Sequence, residues 1–113
     1  MPQSSTVSHL VFARARTGQS EQLGERLLCL VEPSRNADGC LSFTLQLSLK
    51  DPDLWLISGC WASEAAMNSW LAAPELQVFS DVIQTYSVSS LDFRTFSTPD
   101  GADIEVARWM NTV

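Results

Sequence analysis

The chain contains one histidine, His9, so any general-base chemistry resting on a side chain that titrates near neutral pH must use it. Tryptophan is the second resource. Trp55, Trp61 and Trp70 fall within sixteen positions, three of the four tryptophans in the chain. Trp55 and Trp61 stand an even number apart on what reads as one strand, which puts both on one face unless a bulge intervenes. Trp70 sits on the following helix beside Met67. Such a set can wall an apolar pocket for a flat ring, with indole N–H groups as orienting donors. Any one of these tryptophans is a better core residue than pocket wall; the cluster is what favours a pocket. His9, near the start of the first strand, is by position more often a partly exposed strand residue.

Other chemistries are excluded by what is missing. No G-x-G-x-x-G follows a strand, and there is no P-loop, H-E-x-x-H or G-x-S-x-G elbow. A metal site is not expected: one histidine, no C-x-x-C pair and no carboxylates at ligand spacing leave nothing to build it from. Cys29, Cys40 and Cys60 are odd in number and widely spaced, and are expected to be buried, reduced thiols. Thirteen acids against seven bases give a net charge of −6, which argues against nucleic acid because phosphate binding needs a cationic face. Lys50 is the only lysine, and the arginines are scattered, so no polybasic membrane patch forms. No run approaches the roughly 20 apolar residues of a membrane helix. The polar segment over residues 1–5 reads as a disordered end rather than a signal peptide, and the protein is expected in the cytoplasm.

The elements that must position these residues follow from periodicity. Val7 to Ala15 suits a strand covered on both faces. After the Thr17-Gly18 break, Ser20 is expected to cap a helix with the stripe Leu23, Leu27, Leu30, Val31, which Pro33 should end. Cys40 to Leu49 alternates cleanly, with Leu41, Phe43, Leu45, Leu47 and Leu49 on one face. A turn at residues 50–53 returns the chain as a strand over Leu54 to Trp61. Ser63 can cap a helix carrying Ala66, Met67, Trp70 and Leu71, and Pro74-Glu75 should open another with the stripe Leu76, Phe79 and Ile83. Tyr86 to Phe96 reads as the last strand, followed by a tail over residues 97–113 with a short helical piece around Ile104 to Trp109. The order strand, helix, strand, strand, helices, strand is the split βαβ order of a ferredoxin-like α+β fold with an antiparallel sheet. Helices cover one sheet face. A second copy of the chain is the simplest cover for the other, giving a homodimer.

The chain resembles the antibiotic biosynthesis monooxygenase family of small dimeric α+β barrels. The resemblance rests on three ordered stretches: residues 13–19 (Ala-Arg-Ala-Arg-Thr-Gly-Gln), residues 33–43 (Pro-Ser-Arg-Asn-Ala-Asp-Gly-Cys-Leu-Ser-Phe), and residues 60–66 (Cys-Trp-Ala-Ser-Glu-Ala-Ala) continuing into Trp70-Leu71 and Phe79. It covers residues 6–96, taken as one domain, and leaves the tail outside. It implies protomers paired sheet to sheet and oxidation of a small aromatic or quinol substrate by O₂ without flavin, metal or other cofactor. The substrate's own electron-rich anion would reduce O₂ while the protein orients it and accepts a proton.

Residue by residue, Trp61 matches the tryptophan ending the third strand in polyketide-oxidising members. The asparagine four positions earlier is Ile57 here, and the aromatic six later is Met67. The glutamate and histidine of many other members fall on Gly59 and Trp70. Trp70-Leu71 also matches the pair in the haem-degrading branch, whose axial histidine would be Ser80 and whose first-strand asparagine would be near Val11, so haem is not expected. On this basis His9 and Trp61 are the candidate catalytic residues. Trp70, Met67, Phe43, Phe79 and Arg14 are the candidate substrate contacts, Arg14 as an oxyanion partner. The alternative is a non-catalytic, dimeric small-molecule-binding or stress-related protein of the same fold, favoured by apolar or small residues at the usual polar positions. A third is a structural dimer module serving a partner through its tail.

Overall fold

A computed structural model describes residues 6–98; the expectations for residues 1–5, for a tail that docks on the dimer and for a helical piece around Ile104 lie outside them. The first strand, β1 (Thr6–Ala15), buries Val7, His9, Val11, Ala13 and Ala15 on one face and leaves the alternate residues half-buried or exposed on the other. Every other element is organised around that alternation. Helix α1 (Ser20–Arg35) lays Leu23, Leu27, Leu30 and Val31 on the inner face of the sheet. Strands β2 (Cys40–Leu47) and β3 (Leu54–Trp61) form a hairpin, followed by α2 (Glu64–Leu71), a 3₁₀ turn over Pro74–Leu76, α3 (Gln77–Gln84) and β4 (Val88–Thr98). The antiparallel sheet runs β2-β3-β1-β4, with β1 and β3 central. This is the ferredoxin-like α+β fold.

Local chemistry explains the boundaries, including those that differ from the sequence pattern. Ser20 does not cap α1. The position before the helix is Gln19, and the Ser20 hydroxyl instead donates to the Pro52 carbonyl and accepts the Trp55 indole N–H at 3.0 Å, tying α1 to the β2–β3 turn. Pro33 lies inside α1 rather than ending it. The last turn is held by tertiary contacts: Ser34 is buried, and Arg35 Nε donates to the Phe43 carbonyl at 2.9 Å. Ser63 does cap α2, accepting the Ala66 N–H at 3.1 Å.

The β2 apolar face is shorter than its alternation suggests. A bulge at Leu41 shifts the register, the strand stops at Leu47, Leu41 and Leu49 are exposed, and Phe43 is the one β2 residue fully in the core. Helix α3 buries Phe79 and Val82, while Ile83 faces solvent. Tyr86, expected to begin the last strand, adopts φ +58° and closes the end of α3, so β4 begins two residues later at Val88. The cysteines are free, but Cys29 is exposed and Cys40 and Cys60 are only half-buried, which corrects the expectation of three buried thiols. Burial pushes the Cys40 thiol above its usual range, which favours the protonated form.

Among the described residues no helix lies on the outer sheet face. Leu10, Phe12, Leu54, Leu56 and Phe96 project there between Ser8, Ser42, Thr44 and Gln46. Among the described residues no helix is long and apolar enough to cross a membrane.

Candidate active site

The inner face collects aromatic rings around His9. Register places Gly59 of β3 opposite His9 on one side and Thr95 of β4 on the other, while Phe43 of β2 pairs with Gly59. Trp61 ends β3 on this face and is completely buried. Trp70 of α2 closes over the set, with its ring centroid 5.5 Å from His9, 5.1 Å from Trp61 and 5.6 Å from Phe43. Phe93 of β4 meets His9 edge-on at 5.8 Å and Phe79 of α3 at 5.3 Å. Met67 is buried one helical turn before Trp70. These are T-shaped and tilted contacts in the preferred range for aromatic pairs.

Three details give the cluster its chemistry. The Trp70 indole N–H donates to buried Ser34 Oγ at 2.8 Å, which fixes the ring over the site from α1. Gly59 leaves room for the neighbours: a Cβ there would stand 3.0 Å from both a Phe43 ring carbon and Trp61 Nε1. A side chain at this position would have to push one of those rings aside. Finally, His9 Nδ1 and Trp61 Nε1 are both buried and meet no hydrogen-bond partner among the described residues. Unpaired buried nitrogens are costly, roughly 1–3 kcal/mol each, so their presence together needs an explanation.

His9 is 3% exposed, not the part-exposed strand residue its position suggested. Burial holds its pKa below the ordinary 6.5, so the imidazole is neutral at pH 7 and keeps a lone pair available to accept a proton. Trp61 offers a fixed N–H donor.

Of the residues singled out in the sequence, His9, Phe43, Trp61, Met67, Trp70 and Phe79 converge on this face. Arg14 does not. Five positions from His9 on β1, it projects from the opposite face, where its guanidinium meets Asp51 at 2.6 Å. That ion pair holds the Asp51 carboxyl below its usual pKa range. Arg14 is therefore withdrawn as an oxyanion partner, because odd and even strand residues cannot share a face without a bulge. Trp55 also stands apart, at the far end of β3 against Gly24 and Ser20. Sequence reasoning missed Phe93 and Ser34. Phe93 could have been found from the pairing of β4 with β1, but nothing local marks Ser34 as a hydrogen-bond acceptor.

The haem branch of this fold is a poor fit. Its axial position is Ser80, exposed on α3 and unable to serve as an imidazole ligand. Among the described residues there is no cluster of three His, Cys, Asp or Glu side chains that could hold a metal ion.

The family model for antibiotic biosynthesis monooxygenase matches residues 6–82. The chain belongs to this family. Solved structures agree on the fold. A Deinococcus radiodurans protein designated a candidate antibiotic biosynthesis monooxygenase superposes with a TM-score of 0.76 at 24% identity, over 85% of this chain and 94% of that one. A Pseudomonas aeruginosa protein gives 0.77 at 23% identity over 86% and 97%. A Shewanella oneidensis protein gives 0.77 at 19% over 84% and 92%. No curated protein matches the chain. At these identities the structural likeness speaks for the fold, and the site must be argued from its own residues.

Proposed function

We propose that the chain is a homodimeric, cofactor-independent monooxygenase acting on a small electron-rich aromatic or quinol. The observation that carries this reading is the pair of buried, unpaired nitrogens, His9 Nδ1 and Trp61 Nε1, inside one aromatic ring set. Phe93 is half-exposed between His9 and Phe79, and a substrate would enter past it from the β4 side. A flat substrate entering there would stack among Trp70, Phe43 and Phe79. Neutral His9 would take its acidic proton, and the Trp61 N–H would hold the resulting oxyanion. For a ring carbon bearing two hydrogens, O₂ adds as a hydroperoxide and loss of water leaves a carbonyl. One oxygen enters the product, the other leaves as water, and the substrate supplies all four electrons.

Dimerisation is supported by the apolar residues Leu10, Phe12, Leu54, Leu56 and Phe96 on the sheet face that no helix covers among the described residues. The three free thiols suit the reducing cytoplasm. The binding-protein alternative is supported by a different fact: Ile57, Gly59 and Ser80 occupy positions where relatives place polar groups.

Oxygen consumption with a panel of anthrones and hydroquinones separates the two. The monooxygenase predicts uptake above the protein-free rate, falling roughly a hundredfold or more in His9→Ala. Uptake that stays at the protein-free rate for the whole panel, with the same compounds binding, assigns the ring set to binding alone.

A further inference from the structure

We propose that a second site, a groove between α1 and the β2–β3 hairpin, binds an organic cation with an apolar body. The groove has a volume of about 640 Å³ and is lined by Ser20, Glu21, Gly24, Glu25, Leu28, Leu45, Leu47 and Trp55. Trp55 and Trp61 are six residues apart on β3, so the groove stands roughly 20 Å along the strand from the ring set around His9. It is a separate site.

Its origin lies in the sequence. Residues 20, 21, 24, 25 and 28 form one flank of α1, adjacent to the buried stripe of Leu23, Leu27 and Leu30. Opposite them, Leu47 pairs with Trp55 and Leu45 with Ile57 in the hairpin. Gly24 has no side chain to fill the gap, and a Cβ there would run into the Trp55 ring. The indole is held in place by its bond to Ser20 Oγ. Leu28 and Leu47 remain 61% and 43% exposed on the two walls, an apolar cost with no covering element among the described residues.

Charge selects the occupant. Glu21 and Glu25 stand one turn apart on the α1 wall, and no cationic side chain lines the groove. The ion pairs among the described residues are Arg14–Asp51 and Arg94–Asp92, so neither glutamate has a cationic partner among them. An anion would be repelled, and a neutral ligand could at most donate a hydrogen bond to a carboxylate, without the Coulomb attraction a cation gains. An ammonium on a two-ring apolar body matches leucine walls, an indole ring and two carboxylates at once. The net charge of −6 adds a general attraction for cations.

The test uses the full-length ¹⁵N-labelled protein titrated with 2-naphthylmethylammonium, 2-naphthylmethanol and 2-naphthoate. The ammonium should shift the Gly24 amide and Trp55 indole signals and bind about tenfold tighter than the alcohol, at roughly threefold per exposed carboxylate. Added salt should narrow that gap. The Glu21→Gln/Glu25→Gln double variant should reduce the ammonium to the alcohol's affinity, leave the alcohol unchanged and leave any oxygen uptake unchanged. Equal affinities for the three probes, tightest binding of the naphthoate, shifts centred on Trp61 and Trp70, or no shift at millimolar probe would each overturn the proposal. So would Gly24 and Trp55 signals that respond to protein concentration and not to probe, which would assign the groove to a second copy of the chain.

Discussion

His9→Phe should make the protein more stable while destroying the proposed activity, and the stability gain should grow as the pH falls. In the folded chain His9 is 3% exposed, and its Nδ1 has no partner among the described residues. Its ring contacts are Trp70 and Phe93, and its register partners are Gly59 and Thr95, none of them charged. A phenyl ring keeps both edge contacts and removes an unpaired buried nitrogen worth roughly 1–3 kcal/mol. One additional ring atom in a packed site takes part of that back, so a net gain of about 1 kcal/mol is expected at neutral pH. In a domain of this size that is a rise of about 4–8 °C in Tm.

The pH dependence has a definite sign. Burial holds the folded-state pKa of His9 below the 6.5 of the unfolded chain. Below pH 6.5 the unfolded chain takes up a proton that the folded chain refuses, so the wild type loses stability as the pH drops towards the folded pKa. Above 6.5 this contribution is fully present and flat. The slope from one such group is at most about 1.4 kcal/mol per pH unit. Urea unfolding followed by tryptophan fluorescence, from about pH 7.5 to about pH 5, gives the difference curve directly. Carboxylates titrate in both proteins and cancel. Parallel curves for wild type and variant, or a His9 NMR titration midpoint at or above 6.5, would refute the placement of His9 in a buried apolar ring set.

Two further predictions concern the elements around the site. Gly24→Ala would ordinarily gain about 1 kcal/mol in a helix interior, but the new Cβ would lie within 2.6 Å of Trp55 Cη2, so the substitution should destabilise the wild type by about 1 kcal/mol net. In a Trp55→Leu background it should stabilise, and denaturation midpoints of the four proteins read the change of sign; stabilisation in both backgrounds would mean the contact is absent. On the outer sheet face, Leu56 is paired with Phe12 across β1 and β3. The wild type should sediment as a dimer at micromolar concentration and Leu56→Arg as a folded monomer, whereas a monomeric wild type would remove the barrel assembly.

Where one residue's neighbours decide its structure, the sequence was legible. The spacing of Leu23, Leu27, Leu30 and Val31 located the buried face of α1, and the even separation of Trp55 and Trp61 put both on the inner side of β3. Three of the departures share a cause, in that contacts distant in sequence overrode a local rule. Pro33 should end a helix, yet Arg35 and buried Ser34 anchor the following turn to β2 and to Trp70. The Leu41 bulge cannot be seen in a strand whose alternation looks perfect; it appears only when Cys40 and Ser42 must meet successive residues of β3. Phe93 enters the site through the register of β4, which depends on Tyr86 turning the chain at positive φ two residues before the strand. Arg14 is the instructive failure. Its chemistry suited an oxyanion, and its parity on β1, already readable against His9, ruled it out.

The ring set also constrains what can bind there. Apolar packing alone would have no use for buried His9 Nδ1 or Trp61 Nε1, since valine-like or phenyl groups would fill the same space without the desolvation cost. Trp70, in the same cluster, shows the contrast: its N–H is satisfied by Ser34, so this fold can supply an internal acceptor where one is needed only for packing. Gly59 deepens the contrast, because this position, beside both Phe43 and Trp61 Nε1, has no side chain to offer. A ligand oxygen reaching Trp61 and a second polar atom reaching His9 would therefore offset the desolvation cost of these two nitrogens. A purely hydrocarbon ring would not, which is a physical reason for the site to prefer a flat ring bearing oxygen.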